Sequence, residues 1–177
     1  MSEKRQTVQL IWRITYAHTI AYFFAGIFAM QFLNYGELFE TVFSAFMRPT
    51  TDPIIYLGSS LQIIRGILKA LFLLPLRKAF FEEKYGLLKL GAITIGLSYL
   101  FTVGPGIGSF EGFIFTTIPV RYQLVGLPEV LVWVALFIGI LHISQKYAHK
   151  RIITILAIII IVFIVFTSVG SFLYQIS

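Results

Sequence analysis

Residues 59–75, SSLQIIRGILKALFLLP, put Ser59, Gln62, Arg65 and Lys69 inside a run apolar enough to cross a membrane. At about 100° per residue, these four side chains share roughly 140° of helix arc with Gly66 and Ala70. Leu57, Leu61, Ile64, Leu68 and Phe72 face the other way. A guanidinium and an ammonium on one stripe are anion-binding groups, and the Ser59 hydroxyl and Gln62 amide are suited to orienting a ligand. An arginine at the middle of a bilayer costs about 2.5–3.5 kcal/mol on insertion scales, so Arg65 requires a companion. Lys69 lies one turn nearer the end of the run and can snorkel towards headgroups. The ligand class this stripe points to is an anionic lipid headgroup or a small anion.

The companion has few candidates. The acids are Glu3, Glu37, Glu40, Asp52, Glu82, Glu83, Glu111 and Glu129. Glu111, in GPGIGSFEGF, lies in a segment expected to dip into the bilayer, and the glycines around it permit a tight fold against another backbone. It is the expected partner of Arg65, with Gln62 as a bridge. The alternative for Glu111 is a solvated carboxylate at a short helix start after Ser109. The glycine run itself is not a nucleotide loop, because it follows an apolar helix and lacks the Gly-Lys-Ser/Thr ending.

His18, Tyr22 and His142 form a second set, a candidate proton or polar relay. Two facing histidines could also ligate haem. There is no His-x-x-x-His pair and no cluster of carboxylates, so neither a metal nor a cofactor is expected. The chain has no cysteine, which excludes disulfides, thiolate metal sites and a cysteine nucleophile.

These residues must be positioned by membrane helices. The 177 residues are 58% hydrophobic and 12% charged, far from the roughly 25% charged residues of a soluble domain. The fold class is an all-α integral membrane protein in a single domain. A span needs about 20 apolar residues, and five runs qualify, approximately 8–33, 53–75, 87–103, 128–145 and 152–174. None alternates as barrel strands do. Asp52 suits an N-cap with Pro53 at the first helical position, and Pro128 and Glu129 suit the first turn of the fourth span. Lys4 and Arg5 open the chain like a signal sequence, but Arg13 and His18 interrupt the apolar run, so a retained first helix is expected. Ala92 and Gly96, and Ala135 and Gly139, are small-residue pairs that allow close helix approach.

With a cytoplasmic N-terminus, the inner segments carry Lys4, Arg5, Arg77, Lys78, Lys84, Lys146, Lys150 and Arg151, and the outer ones only Arg48 and Arg121. Eight cations against two is a positive-inside bias and puts the C-terminus outside. The compartment expected is a bacterial cytoplasmic membrane. The net charge of +6 gathers at ends of apolar runs, which fits anionic lipid rather than nucleic acid. Two connections carry structure of their own. Residues 37–48 read as an outer interfacial amphipathic helix, and residues 104–127 as a Gly- and Pro-broken re-entrant or interfacial segment.

The function expected is binding or transport of an anionic lipid headgroup or small anion, with Ser59, Gln62, Arg65, Lys69 and Glu111 lining the site. Two alternatives stand beside it. One is an accessory subunit of a larger membrane complex or homo-oligomer, without ligand chemistry. The other is an enzyme acting on a lipid phosphate, which is disfavoured because no paired carboxylates or nearby acid–base couple are evident.

Overall fold

The structure, a computed structural model, describes residues 2–102 and 104–177. Those residues are helical without any strand: α1 Glu3–Phe32, α2 Tyr35–Glu40, α3 Pro53–Tyr56, α4 Gly58–Leu73, α5 Gly86–Ile95, α6 Phe110–Phe115, α7 Val120–Gln123, α8 Gly126–Lys146 and α9 Arg151–Ile176. Among the described residues, three stretches are long and apolar enough to cross a membrane: Gly58–Leu76, Val120–Lys146 and Arg151–Ile176. They contain most of the predicted second, fourth and fifth runs.

The bundle is built around α1, which packs against α4, α8 and α9. Residues 14–21 are buried without a break, the mark of a helix enclosed on all sides. Ala17, Ala21, Ala25 and Ala29 recur every four residues and keep one face of α1 smooth for a neighbour. At Gly66, α1 and α4 approach so closely that a Cβ would lie 3.0 Å from the Thr15 Cα and carbonyl oxygen. Enclosure also explains the polarity of α1. Thr15 and Thr19 donate to the carbonyls of Ile11 and Thr15, at 2.8 and 2.9 Å, so their hydroxyls are satisfied within the helix.

The predicted second run is not one continuous helix. Asp52 is the N-cap expected, its Oδ1 accepting the Ile54 N–H at 3.0 Å. The helix then breaks at Leu57, between α3 and α4. The cause is Ser168 of α9. Its hydroxyl donates to the Tyr56 carbonyl and lies 3.4 Å from the Ser60 N–H, standing where the bond between those two groups would close the helical ladder.

The predicted third run becomes α5 followed by a π turn, Gly96–Leu100; Val103, its last expected residue, lies outside the described residues. The close approach of α5 and α8 is made by Gly91, whose Cβ would lie 3.3 Å from Ile138, rather than by the predicted Ala92–Gly96 and Ala135–Gly139 pairs. Nothing lies within 4 Å of a Cβ at Gly139.

The helix expected over residues 37–48 stops at Glu40 and continues as turns. Thr41 Oγ1 donates to the Glu37 carbonyl at 2.6 Å and Ser44 Oγ to the Thr41 carbonyl at 2.8 Å, hydroxyl bonds that compete with the backbone ladder. Phe43 is buried and Phe46 exposed. Residues 104–127 fold into α6 and α7 before α8 begins at Gly126, two residues ahead of Pro128.

Candidate functional site

Arg65 sits at the midpoint of α4 and lines a cleft of about 160 Å³ with Tyr22 and Ala25 of α1, Ser98 of the π turn, and Glu129, Val130 and Trp133 of α8. The α4 stripe separates only in part. Gly66 and Ala70 are buried and Gln62 and Lys69 half-buried, but Arg65, at the edge of the stripe, is exposed, as are Leu61, Ile64, Leu68 and Phe72 beyond it. Arg65 forms neither a hydrogen bond nor an ion pair among the described residues. The ion pairs there are Arg48–Asp52, Arg77–Glu82 and Lys89–Glu83.

Lys69, one turn along, is turned towards α8. Its Nζ lies 4.0 Å from the Trp133 ring centroid and 5.2 Å from that of Phe137. A desolvated cation over an indole face is worth about 2 kcal/mol, so the rings take the place of a carboxylate partner. Gln62 is committed to the protein as well. Its Oε1 is 3.2 Å from His18 Nε2, and its Nε2 donates to the Gly58 carbonyl at 3.2 Å. With the amide in that orientation His18 donates through Nε2, which leaves Nδ1 as an acceptor.

His18 is fully buried, with Trp133 edge-on at 5.6 Å between ring centroids. Both His18 Nδ1 and Trp133 Nε1 are buried without a hydrogen-bond partner. An unsatisfied buried polar atom costs about 1–3 kcal/mol, so two of them beside one cleft mark an unusually demanding spot.

The acidic residue that lines this cleft with Arg65 is Glu129, not Glu111. Glu111 lies in the first turn of α6, behind the Ser109 N-cap, and forms no ion pair with Arg65. Glu129 is fixed by Tyr35, whose hydroxyl donates to Oε2 at 2.6 Å. Glu129 also borders a second cleft of about 230 Å³, lined among others by Tyr35, Phe43, Ile107 and Tyr122. The two clefts share Ser98, Glu129 and Val130. The Tyr35–Glu129 bond therefore stands at the junction between them.

No protein family, curated protein or solved structure matches this chain. The arrangement of its own side chains is what speaks to function.

The remaining candidates fall elsewhere. Ser59 faces a shallow pocket with Thr167, Ser168 and Ser171 of α9, away from Arg65. Tyr22 lines the Arg65 cleft, and its ring centroid is 6.3 Å from that of His18. His142 is nine residues past Trp133 on α8, about half a turn out of phase, and lines a groove between α5 and α8 instead. The structure does not bring His142 to His18. Among the described residues, no group of three His, Asp or Glu side chains is placed to hold a metal.

Sequence reasoning missed Gln123, which organises the Gly-rich segment. It is fully buried; its Oε1 accepts the Gly108 N–H at 2.7 Å, and its Nε2 donates to the Gly112 carbonyl at 3.0 Å and to Thr116 Oγ1 at 2.7 Å. The Tyr99 hydroxyl donates to the Gln123 carbonyl at 2.5 Å. Gly108 has φ +80°, and a Cβ there would run into the Tyr99 ring. A glutamine between two helix-breaking stretches was the available signal, since such breaks leave backbone groups that need a partner with both donors and an acceptor.

Proposed function

We propose that this is a membrane protein that binds or transports a small anion, or the anionic headgroup of a lipid, at the Arg65 cleft. The carrying observation is that Arg65, halfway along α4, lines a cleft with neither hydrogen bond nor ion pair among the described residues. Lys69 adds positive charge one turn away, and Tyr22 and Ser98 bring hydroxyls to the same walls. A volume of about 160 Å³ suits a few water-sized groups of about 30 Å³ each, hence a small anion or a single phosphate group. Glu129 is the gate in this reading. Its carboxylate competes with the anion for Arg65 and is held at the mouth of the neighbouring cleft by Tyr35.

The same proposal includes five crossings, with the N-terminus cytoplasmic and the C-terminus outside, in a bacterial cytoplasmic membrane. Supporting this are the eight inner against two outer cations, the length of α1, about 45 Å at 1.5 Å per residue, and its enclosure by three apolar helices. The stretch Gly86–Leu100 reaches only about 22 Å, so it crosses where the bilayer thins or where protein covers its ends. The absence of native cysteine makes the threading directly testable. Ser177→Cys is expected to react with an impermeant maleimide in intact cells, and Ala148→Cys is not; the reverse pattern would overturn the orientation.

The site is tested by titrating the purified protein with chloride, bicarbonate and phosphate, reading Trp133 fluorescence, and by anion flux in proteoliposomes. Arg65→Gln is expected to weaken the response about tenfold or more, the loss of one charge-assisted contact, with elution volume and melting unchanged. An equal response in a folded Arg65→Gln protein would overturn the reading. Co-purification of a stoichiometric partner chain with no anion response would favour an accessory subunit.

A further inference from the structure

At the end of the bundle holding the start of α1 and the end of α8, two cavities of opposite character meet. The first is polar, about 470 Å³, with Gln6, Arg13, Arg77, Glu82, Gln145 and His149 in its walls. Arg77 is fixed in place: its Nε pairs with Glu82 Oε1 at 2.9 Å and its Nη2 donates to Gln6 Oε1 at 3.0 Å. The one carboxylate of the pocket is thereby engaged. Arg13 has neither a hydrogen bond nor an ion pair among the described residues. The pocket keeps an excess of positive charge, with amide groups beside it, which is the chemistry of a phosphate site.

The second cavity is a groove of about 1130 Å³ between α5 and α8, walled by apolar side chains such as Leu88, Ile95, Leu131 and Ile138. It shares Phe81 and Gln145 with the polar pocket. Along α8 the groove runs from Leu131 to Gln145, about 21 Å at 1.5 Å per residue. One leaflet of a bilayer is about 15 Å deep, half of the roughly 30 Å hydrocarbon core. The groove is thus long enough for one acyl chain in one leaflet, and its open end is the wall of the cationic pocket. Gly139 leaves open space along the groove.

We propose that this end of the bundle binds one anionic phospholipid, its phosphate on Arg13 and Arg77 and one acyl chain in the α5–α8 groove. The site is separate from the Arg65 cleft and stands whether or not that cleft binds an anion. The positive-inside rule accounts for cations at this level in general, but not for their convergence on a pocket continuous with an apolar groove.

The test is native mass spectrometry of the full chain in mild detergent, with phosphatidylglycerol, phosphatidylcholine and soluble glycerol 3-phosphate as probes. Phosphatidylglycerol is expected to be retained about tenfold better than phosphatidylcholine. Arg13→Gln is expected to remove most of that preference, and Gly139→Leu, which fills the groove, to lower retention of both lipids. Equal retention of the two lipids by the wild-type chain would overturn the proposal without recourse to any variant. So would glycerol 3-phosphate binding as tightly as phosphatidylglycerol with no effect of Gly139→Leu, which would make the pocket a soluble-phosphate site.

Discussion

The Tyr35 hydroxyl donates to Glu129 Oε2 at 2.6 Å, joining the short α2 to the first turns of α8 across 94 residues of chain. Glu129 lines both the Arg65 cleft and its neighbour, so this bond fixes the carboxyl group at their junction.

Glu129→Gln removes the competing negative charge while keeping an acceptor for Tyr35. Anion affinity is expected to rise about tenfold in the fluorescence titration, the opposite direction from Arg65→Gln. Tyr35→Phe removes a hydrogen bond to a charged group and is expected to cost about 1.5–3 kcal/mol of stability, read as a lower melting midpoint in detergent. A fall in anion affinity in a folded Glu129→Gln protein would count against the gate.

Gly108→Ala is expected to be among the most damaging glycine substitutions. Its φ of +80° disfavours any side chain, and the Tyr99 ring occupies the Cβ position. The combined cost is at least about 2 kcal/mol. Gly139→Ala, with nothing within 4 Å of its Cβ, serves as the control and is expected to be neutral or to gain up to about 1 kcal/mol from helix propensity. Thermal melts of the two variants side by side decide the point, and equal melting midpoints would contradict it.

Gln123→Leu preserves the volume and removes all three side-chain hydrogen bonds. The buried Gly108 N–H loses its partner, whereas the Gly112 carbonyl still accepts from Thr116 Oγ1 at 2.7 Å. A loss of about 1–3 kcal/mol is expected, with the opening confined to the segment between α5 and α8. Hydrogen exchange resolved by peptide should show faster exchange over residues 104–123 and little change in α1.

Asp52 titrates outside the spans. The Arg48 guanidinium donates to its Oδ2 at 2.7 Å and the Ile54 N–H to its Oδ1, which together hold its carboxyl below the ordinary value of 3.8. A depressed carboxyl contributes stability that is fully present above 3.8 and disappears as pH falls through the lowered value in the folded state. Acid melts of the wild type and Asp52→Asn are expected to differ above that range and converge below it. A constant difference at every pH would show that the cap does not depend on the carboxylate charge.

The amino-acid sequence alone determined the helical class, the apolar stretches now seen in α4, α8 and α9, the Asp52 cap and the small-residue side of α4, where Gly66 and Ala70 are buried. Each is a local property: hydropathy over about 20 residues, a capping residue ahead of a proline, or 100° of rotation per residue. The same local reasoning singled out Arg65 and Lys69, because a cation inside an apolar run is visible without any neighbour. It could not choose the groups that face them. Glu129 looked like an ordinary first-turn acid until Tyr35 and the π turn with Ser98 were brought beside it, and Trp133 served equally well as a membrane anchor until Lys69 lay over its ring. Ser168 breaking a helix 112 residues away, and Gln123 closing the Gly-rich segment, are likewise decided only by packing. The physical reason is range. Helix formation and apolarity are set by neighbours in the chain, whereas the partner of a buried charge or backbone group is set by whichever helix the fold places within 3 or 4 Å.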